Sequence, residues 1–222
     1  MASKNRARRA RGFSTAEILA ASALSLFILG AIYSFHKAQM QAMAAQNAYA
    51  ESQNVTRSVL DIMAREIRMS SFDPAGTALA NSPGPSCPGV ERGLVEAMRH
   101  QIRIQQDLDG DGTIASSSED VVYDLLGDTL RRTDGANLPI DLVSGVGAFG
   151  FVLQYFDGSN PPIELVPTGS PPALTQSQRD CVTKVRITIH ATQANPDPNN
   201  PTPIASLAET EVAIRHRSLM NF

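Results

Sequence analysis

The chain divides into one uninterrupted apolar stretch near its start and a longer region of short alternating segments. From Ile18 to Phe35 every residue is apolar, small or hydroxyl-bearing, and none is charged. A helix needs about 20 apolar residues to cross the hydrocarbon core of a bilayer. The pattern therefore predicts a transmembrane helix over residues 13–35.

The same helix is predicted to continue through residues 36–70. No proline occurs between Phe13 and Phe72, so nothing breaks a helix in that span. Apolar residues recur there at three- and four-residue steps, at Val55, Val59, Ile62, Met63 and Ile67. This spacing places them on one helix face that packs on a core. The cluster SSFDPAG at residues 70–76 ends the helix.

Residues 71–222 are predicted to form a β-rich globular head. Alternating or aromatic segments are separated by turn signals such as Asp134-Gly135 and by proline-rich loops at residues 160–172 and 194–203. The predicted strands cover residues 101–105, 121–126, 130–132, 149–156, 181–190 and 212–216. The expected fold class is α+β, a long N-terminal helix packed on a mostly antiparallel sheet.

The basic residues before the helix predict on which side of the membrane the head lies. Residues 1–12 contain five basic residues and no acidic one, namely Lys4, Arg6, Arg8, Arg9 and Arg11. Such a cluster holds the N-terminus on the cytoplasmic side, so the head is exported. Without residues 1–12 the chain has 14 basic and 22 acidic residues, a formal charge of -8. This acidic balance does not favour nucleic-acid binding.

Three residues at the start of the helix suggest a more specific assignment. The basic segment ends in Gly12, the helix starts with Phe13, and Glu17 lies fifth from that junction. This arrangement resembles the processing site of type IV prepilins. The resemblance implies that prepilin peptidase removes residues 1–12, cutting between Gly12 and Phe13, and methylates the new N-terminus at Phe13. It also implies that Glu17 is an assembly contact, meeting the N-terminal amine of a neighbouring subunit.

Glu17 has a second interpretation. The residues from Ser14 to Glu17 also spell a helix capping box, in which the glutamate reaches back to the amide of the capping residue. A carboxylate at the centre of a membrane helix costs about 3 kcal/mol, so a partner of opposite charge would stabilise it. Glu17 alone fits both roles, and its combination with Gly12, Phe13 and the basic segment favours the assembly role.

A weaker resemblance concerns the end of the helix. The stretch VLDIMAREIRMSSFDPAG, residues 59–76, is similar to a segment of minor pilins of the PilW kind. That resemblance implies a pilin-like fold and a non-catalytic structural subunit that is incorporated into a type IV pilus, or that primes or tips it. The implied location is the inner membrane, with a single pass and the head in the periplasm, and then the pilus at the cell surface.

The implied partners are other pilins through the N-terminal helix, prepilin peptidase, the inner-membrane assembly platform and the lipid bilayer. Two alternatives share the same helix. One is a minor pseudopilin of a type II secretion system, similar to the J-type subunit. The other is a membrane-anchored, calcium-dependent adhesin that never polymerises, for which retention of residues 1–12 would be evidence.

A candidate calcium loop follows the first predicted strand of the head. Asp107, Asp109, Asp111 and Gly112 spell DxDxDG, in which oxygen ligands alternate around a sharp turn. Loop position 12 is serine and the flanks are predicted strands, so this is not an EF-hand. The expected ligands are Asp107, Asp109, Asp111, the Thr113 carbonyl, and Glu119 or Asp120. A solvated acidic turn is the alternative, since Asp and Gly are common in turns. No cofactor is required, and Ca²⁺ is the one candidate.

The remaining motifs favour no catalytic chemistry. Cys87 and Cys181 are the two cysteines and could pair in an oxidising periplasm, the alternative being two unpaired thiols. Gly145, Gly147 and Gly150 match GxGxxG, but a strand follows them where a dinucleotide site needs a helix, so we interpret them as the entry to a strand. The sequence contains no GxSxG, GxxxxGK[ST] or HExxH motif. We therefore do not expect an enzyme.

Overall fold

A computed structural model describes residues 13–74, 79, 93–115 and 117–214. Its first element is helix α1, Thr15–Met69. The chain divides into two compact units, Met1–Gln46 and Asn47–Phe222, and α1 contributes residues to both. The long N-terminal helix predicted from the sequence is confirmed, and it ends one residue before the predicted breaker cluster.

The strands of the head form two antiparallel sheets within the described residues. The first has the order β1-β2-β3-β4-β5, and the second has the order β7-β6-β8-β9. The strands are β1 (Leu94–Ala97), β2 (Gln101–Gln105), β3 (Asp120–Leu126), β4 (Thr129–Asp134), β5 (Ile140–Val143), β6 (Phe151–Phe156), β7 (Glu164–Leu165), β8 (Lys184–Gln193) and β9 (Ile204–Ala213). A one-turn helix, α2 (Gln176–Arg179), precedes β8. The predicted antiparallel α+β head is confirmed.

Individual strands agree with the prediction to different degrees. β2 has the predicted bounds, and β3, β4 and β6 differ from theirs by one to two residues at an end. β9 begins at Ile204, well before the predicted residue 212. β1, β5 and β7 were not predicted. They are two to four residues long, too short for an alternation to be visible.

The C-terminal part of α1 contributes one apolar stripe to the core of the head. Val59, Leu60, Met63 and Ile67 are at most 5% exposed and belong to one buried cluster with residues of both sheets. They recur at one-, three- and four-residue steps, which places them on one face of the helix. Both sheets therefore share a single core with the helix.

Polar contacts fix the rotation of the helix on the first sheet. Arg132 of β4 donates from Nη2 to Glu66 Oε1 at 2.9 Å, and the Tyr123 hydroxyl of β3 also donates to Glu66. Burial raises the pKa of Tyr123, so its hydroxyl remains protonated and available as a donor. Glu66 thus connects α1 to two strands.

Hydroxyl groups make the corresponding contact with the second sheet. Ser52 Oγ donates to Ser206 Oγ at 2.9 Å, and the Thr56 hydroxyl lies 3.1 Å from the same oxygen. All three residues are buried. Buried hydroxyls are costly unless they are hydrogen-bonded, so these contacts hold the helix and β9 in one relative position.

The GxGxxG glycines form a close backbone contact with β8. The amides of Thr192 and His190 donate to the carbonyls of Gly145 and Gly150. A Cβ on Gly145 would lie 2.0 Å from the Thr192 carbonyl oxygen, and one on Gly150 would lie 2.4 Å from that of His190. The motif leads into β6, as predicted, and Gly145 and Gly150 are needed for close approach between backbones, whereas a Cβ on Gly147 would have nothing within 4 Å.

We predict that Met63→Ala destabilises the head by about 2–5 kcal/mol, because Met63 is fully buried between the helix and the sheets. Met43→Ala is the matched control, since Met43 lies in the same helix and is 63% exposed. It should change the free energy of unfolding by less than about 0.5 kcal/mol. Urea unfolding of the purified full-length protein in detergent measures both. Equal effects would contradict the assigned core.

Candidate functional site

The first turn of α1 is closed by two reciprocal hydrogen bonds between Ser14 and Glu17. The Ser14 amide donates to Glu17 Oε2 at 2.9 Å, and the Glu17 amide donates to Ser14 Oγ at 3.2 Å. This is the capping box expected from the sequence. A carboxylate accepts up to about four hydrogen bonds, so the cap leaves acceptor capacity for a second partner. Gly12 lies outside the described residues, and Phe13 is exposed.

The apolar stretch of α1 is uncovered on every side. Large apolar residues there are at least 49% exposed, namely Phe13, Ile18, Leu19, Leu24, Leu26, Phe27, Ile28, Leu29, Ile32, Tyr33 and Phe35. Leu26 to Leu29 are consecutive, and steps of about 100° per residue distribute four such side chains around the whole helix. The stretch is long and apolar enough to cross a membrane, and none of it is buried.

The acidic loop between β2 and β3 brings together three of its predicted ligands. Carboxylate oxygens of Asp107, Asp109 and Glu119 all lie within 4.8 Å of one another. Asp107 is 0% exposed and Glu119 is 1% exposed. Carboxylate oxygens are the ligands that Ca²⁺ prefers in proteins. The described residues therefore offer the beginning of an oxygen site, with two of the three carboxylates removed from solvent.

Backbone amides hold these carboxylates in place. Asp107 accepts from the amides of Gly110 at 2.7 Å and Gly112 at 3.1 Å. Glu119 accepts from the amides of Leu108 at 3.0 Å and Ala115 at 3.2 Å. These bonds compensate part of the repulsion between like charges. They also orient the carboxylates toward the interior of the loop.

Two other predicted ligands, Asp111 and Asp120, are not in this cluster of carboxylates. The Asp111 carboxylate accepts from the amide and the hydroxyl of Thr113 instead. Asp120 is the first residue of β3 and forms a two-pronged ion pair with Arg103 of β2, at 2.8 and 2.6 Å. Arg103 could not be identified from the sequence, because the pairing depends on the register of the β2–β3 hairpin. Of the two alternatives Glu119 and Asp120, the structure places Glu119 in the cluster.

The predicted disulfide concerns one described residue and one residue outside the described part of the chain. Cys181 follows α2, and Cys87 lies outside the described residues. Their pairing stays a prediction.

Comparison with known proteins leaves the family open. The sequence matches no family model and no curated protein. Among solved structures, the chain is similar to a type IV-like pilin from Thermus thermophilus, with 11% sequence identity and a TM-score of 0.38. The similarity covers 72% of this chain and 95% of that one. A likeness of this size does not establish the family.

We predict that Asp120→Asn lowers the stability of the head at neutral pH by up to about 1 kcal/mol, since the pair is partly solvent-exposed. The hydrogen bond from Arg103 holds the pKa of Asp120 below its ordinary value. The pair therefore stabilises the fold above the unfolded-state pKa of about 3.9, and this contribution is lost as pH falls through the lower folded-state value.

The free energy of unfolding of both proteins, measured between pH 7 and pH 2.5, tests this prediction. The difference should become smaller as the pH falls below about 3.9. A difference that stays constant, or that grows, would show that Asp120 stabilises the head by another interaction.

Proposed function

We propose that the chain is a minor type IV pilin, a structural subunit that is trimmed to Phe13, held in the inner membrane by α1 and then incorporated into a pilus. The observation that carries this proposal is the apolar stretch of α1. A soluble helix with one binding partner needs a single apolar stripe. Here all faces are apolar and exposed, which suits a bilayer or a bundle in which several helices surround each copy.

The charges at the two ends of this stretch fit a membrane span. No charged residue lies between Glu17 and Lys37 in the sequence. Their separation along a helix is about 30 Å, which matches the hydrocarbon core of a bilayer. The basic residues before Gly12 favour the cytoplasmic side for the N-terminus, so the head would lie in the periplasm.

The role proposed for Glu17 is assembly in addition to capping. Its carboxylate lies one helical turn from Phe13, and trimming would give Phe13 a positively charged amine. In a bundle of such helices, the amine of one copy can reach the glutamate of the next. The attraction would offset the cost of keeping both charges at the edge of hydrocarbon.

We predict that Glu17→Gln reduces entry into filaments by about tenfold or more while the protein still accumulates in the membrane, because one favourable charge pair of at least 1.4 kcal/mol is lost. Glu51→Gln is the control, since Glu51 is an exposed glutamate of the same helix. Immunoblots of sheared filaments and of membranes measure the two fractions. Normal entry of the Glu17 variant would remove the assembly role.

A minor pseudopilin of a type II secretion system is the main alternative, because it uses the same helix. Deletion of the gene distinguishes the two. Loss of pili and twitching supports the pilus, and loss of protein secretion with normal pili supports the secretion system. A membrane-anchored adhesin is the third alternative, and it would keep residues 1–12.

We also propose that the loop holding Asp107, Asp109 and Glu119 binds Ca²⁺. Three carboxylates within 4.8 Å of one another repel, and two of them are buried. A cation would relieve that repulsion, with backbone carbonyls or water completing the six to eight oxygen ligands that Ca²⁺ takes. The bound ion would stiffen the turn between β2 and β3.

We expect Ca²⁺ to raise the melting temperature of the head and to release or absorb heat on titration, and Glu119→Gln to abolish both effects. Asp120→Asn is the matched control, since Asp120 is the next residue and belongs to the Arg103 pair. Calorimetry on chelator-treated full-length protein measures binding. Absence of heat and of any thermal shift in the parent protein would show that the loop is a solvated acidic turn.

A further inference from the structure

Gln106 has a buried side-chain oxygen without a hydrogen-bond partner. The residue directly follows β2 and is 2% exposed. Its Nε2 donates to the Ser118 carbonyl at 2.7 Å. Its Oε1 is also buried, and no hydrogen bond reaches it within the part of the chain that the structure describes. A buried acceptor that is left unpaired is costly, so this position needs a donor or a cation.

The contact with Ser118 determines which end of the Gln106 amide is left unpaired. Rotating a glutamine amide by half a turn exchanges its oxygen and its nitrogen. Here that rotation would place Oε1 against the carbonyl oxygen of Ser118, where two acceptors repel. The nitrogen therefore stays on Ser118, and the oxygen is the group without a partner.

The strand register places the Gln106 side chain beside the acidic loop. The Gln106 amide donates to the Glu119 carbonyl at 2.9 Å, which continues the β2–β3 register in which Gln105 pairs with Asp120. Directly opposed residues of an antiparallel pair have their side chains on one face, with Cβ atoms about 4.5–5.5 Å apart. The side chains of Gln106 and Glu119 therefore share the buried face, and Asp107 is the next residue in the chain.

The oxygens gathered at this position are all acceptors. They belong to the Gln106 carbonyl and to the carboxylates of Asp107, Asp109 and Glu119. A buried water molecule has two hydrogens to donate, so it can satisfy only part of such a group. A cation attracts every oxygen around it. The arrangement therefore suits a cation better than a water molecule.

We propose that the side-chain carbonyl of Gln106 is a fourth protein ligand of Ca²⁺, together with the carboxylates of Asp107, Asp109 and Glu119. This inference rests on the calcium site proposed above, and it adds a ligand that lies outside the acidic motif. Side-chain amide carbonyls are ordinary ligands of Ca²⁺. A neutral oxygen also adds a ligand without adding to the repulsion among three carboxylates.

The proposed ligands lie where the chain leaves α1. The Ser71 amide donates to the Gln105 carbonyl at 3.1 Å, and the Asp107 amide donates to the Phe72 carbonyl at 2.6 Å. Gln106 lies between these two hydrogen bonds in the chain. An ion bound by Gln106 and Asp107 would therefore stabilise the connection between the end of the helix and β2.

Calcium titration of matched variants tests the role of Gln106 in the chelator-treated full-length protein in detergent. Gln106→Met and Gln106→Glu both lose the donor to Ser118, and only the glutamate keeps an oxygen at the end of the side chain. We expect Gln106→Met to weaken Ca²⁺ binding by about tenfold or more, because one ligand is lost. Gln106→Glu should bind Ca²⁺ within about threefold of the parent protein or more tightly.

Gln105→Met is the control for these titrations. Gln105 is the preceding residue, and its side chain donates to Asp120 at 3.3 Å, away from the cluster of carboxylates. The affinity of this variant for Ca²⁺ should equal that of the parent protein. Circular dichroism in chelator shows whether each variant is folded before calcium is added.

Terbium luminescence gives a measurement that a merely structural role of Gln106 would not change. Tb³⁺ binds to oxygen ligands of the kind that Ca²⁺ uses, and its decay rates in H₂O and in D₂O count the water molecules on the ion. Water replaces a protein ligand that is lost. We expect Gln106→Met to carry about one more bound water molecule than the parent protein. Gln106→Glu and Gln105→Met should carry the same number as the parent.

Two results would overturn this proposal while the calcium site stands. One is an unchanged affinity and an unchanged water number in Gln106→Met. The other is an equal loss of affinity in Gln106→Met and Gln106→Glu, which would show that the contact with Ser118 matters and the oxygen does not. If Gln106→Met does not fold, an additional bound water molecule in Gln106→Glu overturns the proposal.

Failure of the calcium site itself gives a different result. The parent protein would then show neither heat with Ca²⁺ nor terbium luminescence, and the ligand role of Gln106 would be lost with the site. Binding in the parent protein with no effect of Gln106→Met removes only the ligand role. The titration of the parent protein therefore separates the two failures.

Discussion

The structure of the head depends on the packing of one helical stripe against two sheets. Val59, Leu60, Met63 and Ile67 of α1 share a core with the inward faces of both sheets. Glu66 adds an ion pair with Arg132 of the first sheet, and Ser52 and Thr56 add hydroxyl contacts with Ser206 of the second. Apolar burial supplies most of the stability, and the polar contacts fix the rotation and height of the helix. Replacing the stripe would therefore affect both sheets together.

The part of α1 that lies in the first unit of the chain has the opposite property: its apolar side chains are not buried. There the apolar residues surround the helix and are exposed, so water is an unfavourable environment for this stretch. Either a bilayer or a bundle of helices would remove this apolar surface from water. A subunit that moved from one to the other would bury the same surface in both. Under the proposed function, the same apolar surface would serve first as the membrane anchor and then as the filament contact.

Much of the fold follows from the sequence because its strongest signals are long. The helix has an uninterrupted apolar run followed by an amphipathic stripe, and β2 alternates clearly between polar and apolar residues. The signals fail where strands are short, as in β5 and β7, or where outward residues are small or acidic, as in β9. The division of the head into two sheets could not be predicted, because it depends on contacts between residues distant in sequence.

The candidate sites show the same limit. The capping box joins residues only three positions apart, Ser14 and Glu17, so its two hydrogen bonds can be predicted from the sequence. The acidic loop is only partly predictable, since Glu119 and Asp120 are adjacent, and only Asp120 belongs to β3. The β2–β3 register decides their roles. Asp120 pairs with Arg103, and Glu119 joins the carboxylates of the loop. Glu66 and Tyr123 are 57 residues apart, so no local pattern could have paired them.

Whether export, trimming and assembly form one process depends on where the mature chain begins. Mass spectrometry of the protein purified from its native membrane measures this directly. The account predicts an N-terminus at Phe13, with one methyl group on its amine. A chain that still begins at Met1, or that begins at any residue other than Phe13, would contradict it and leave a periplasmic head on an ordinary membrane anchor.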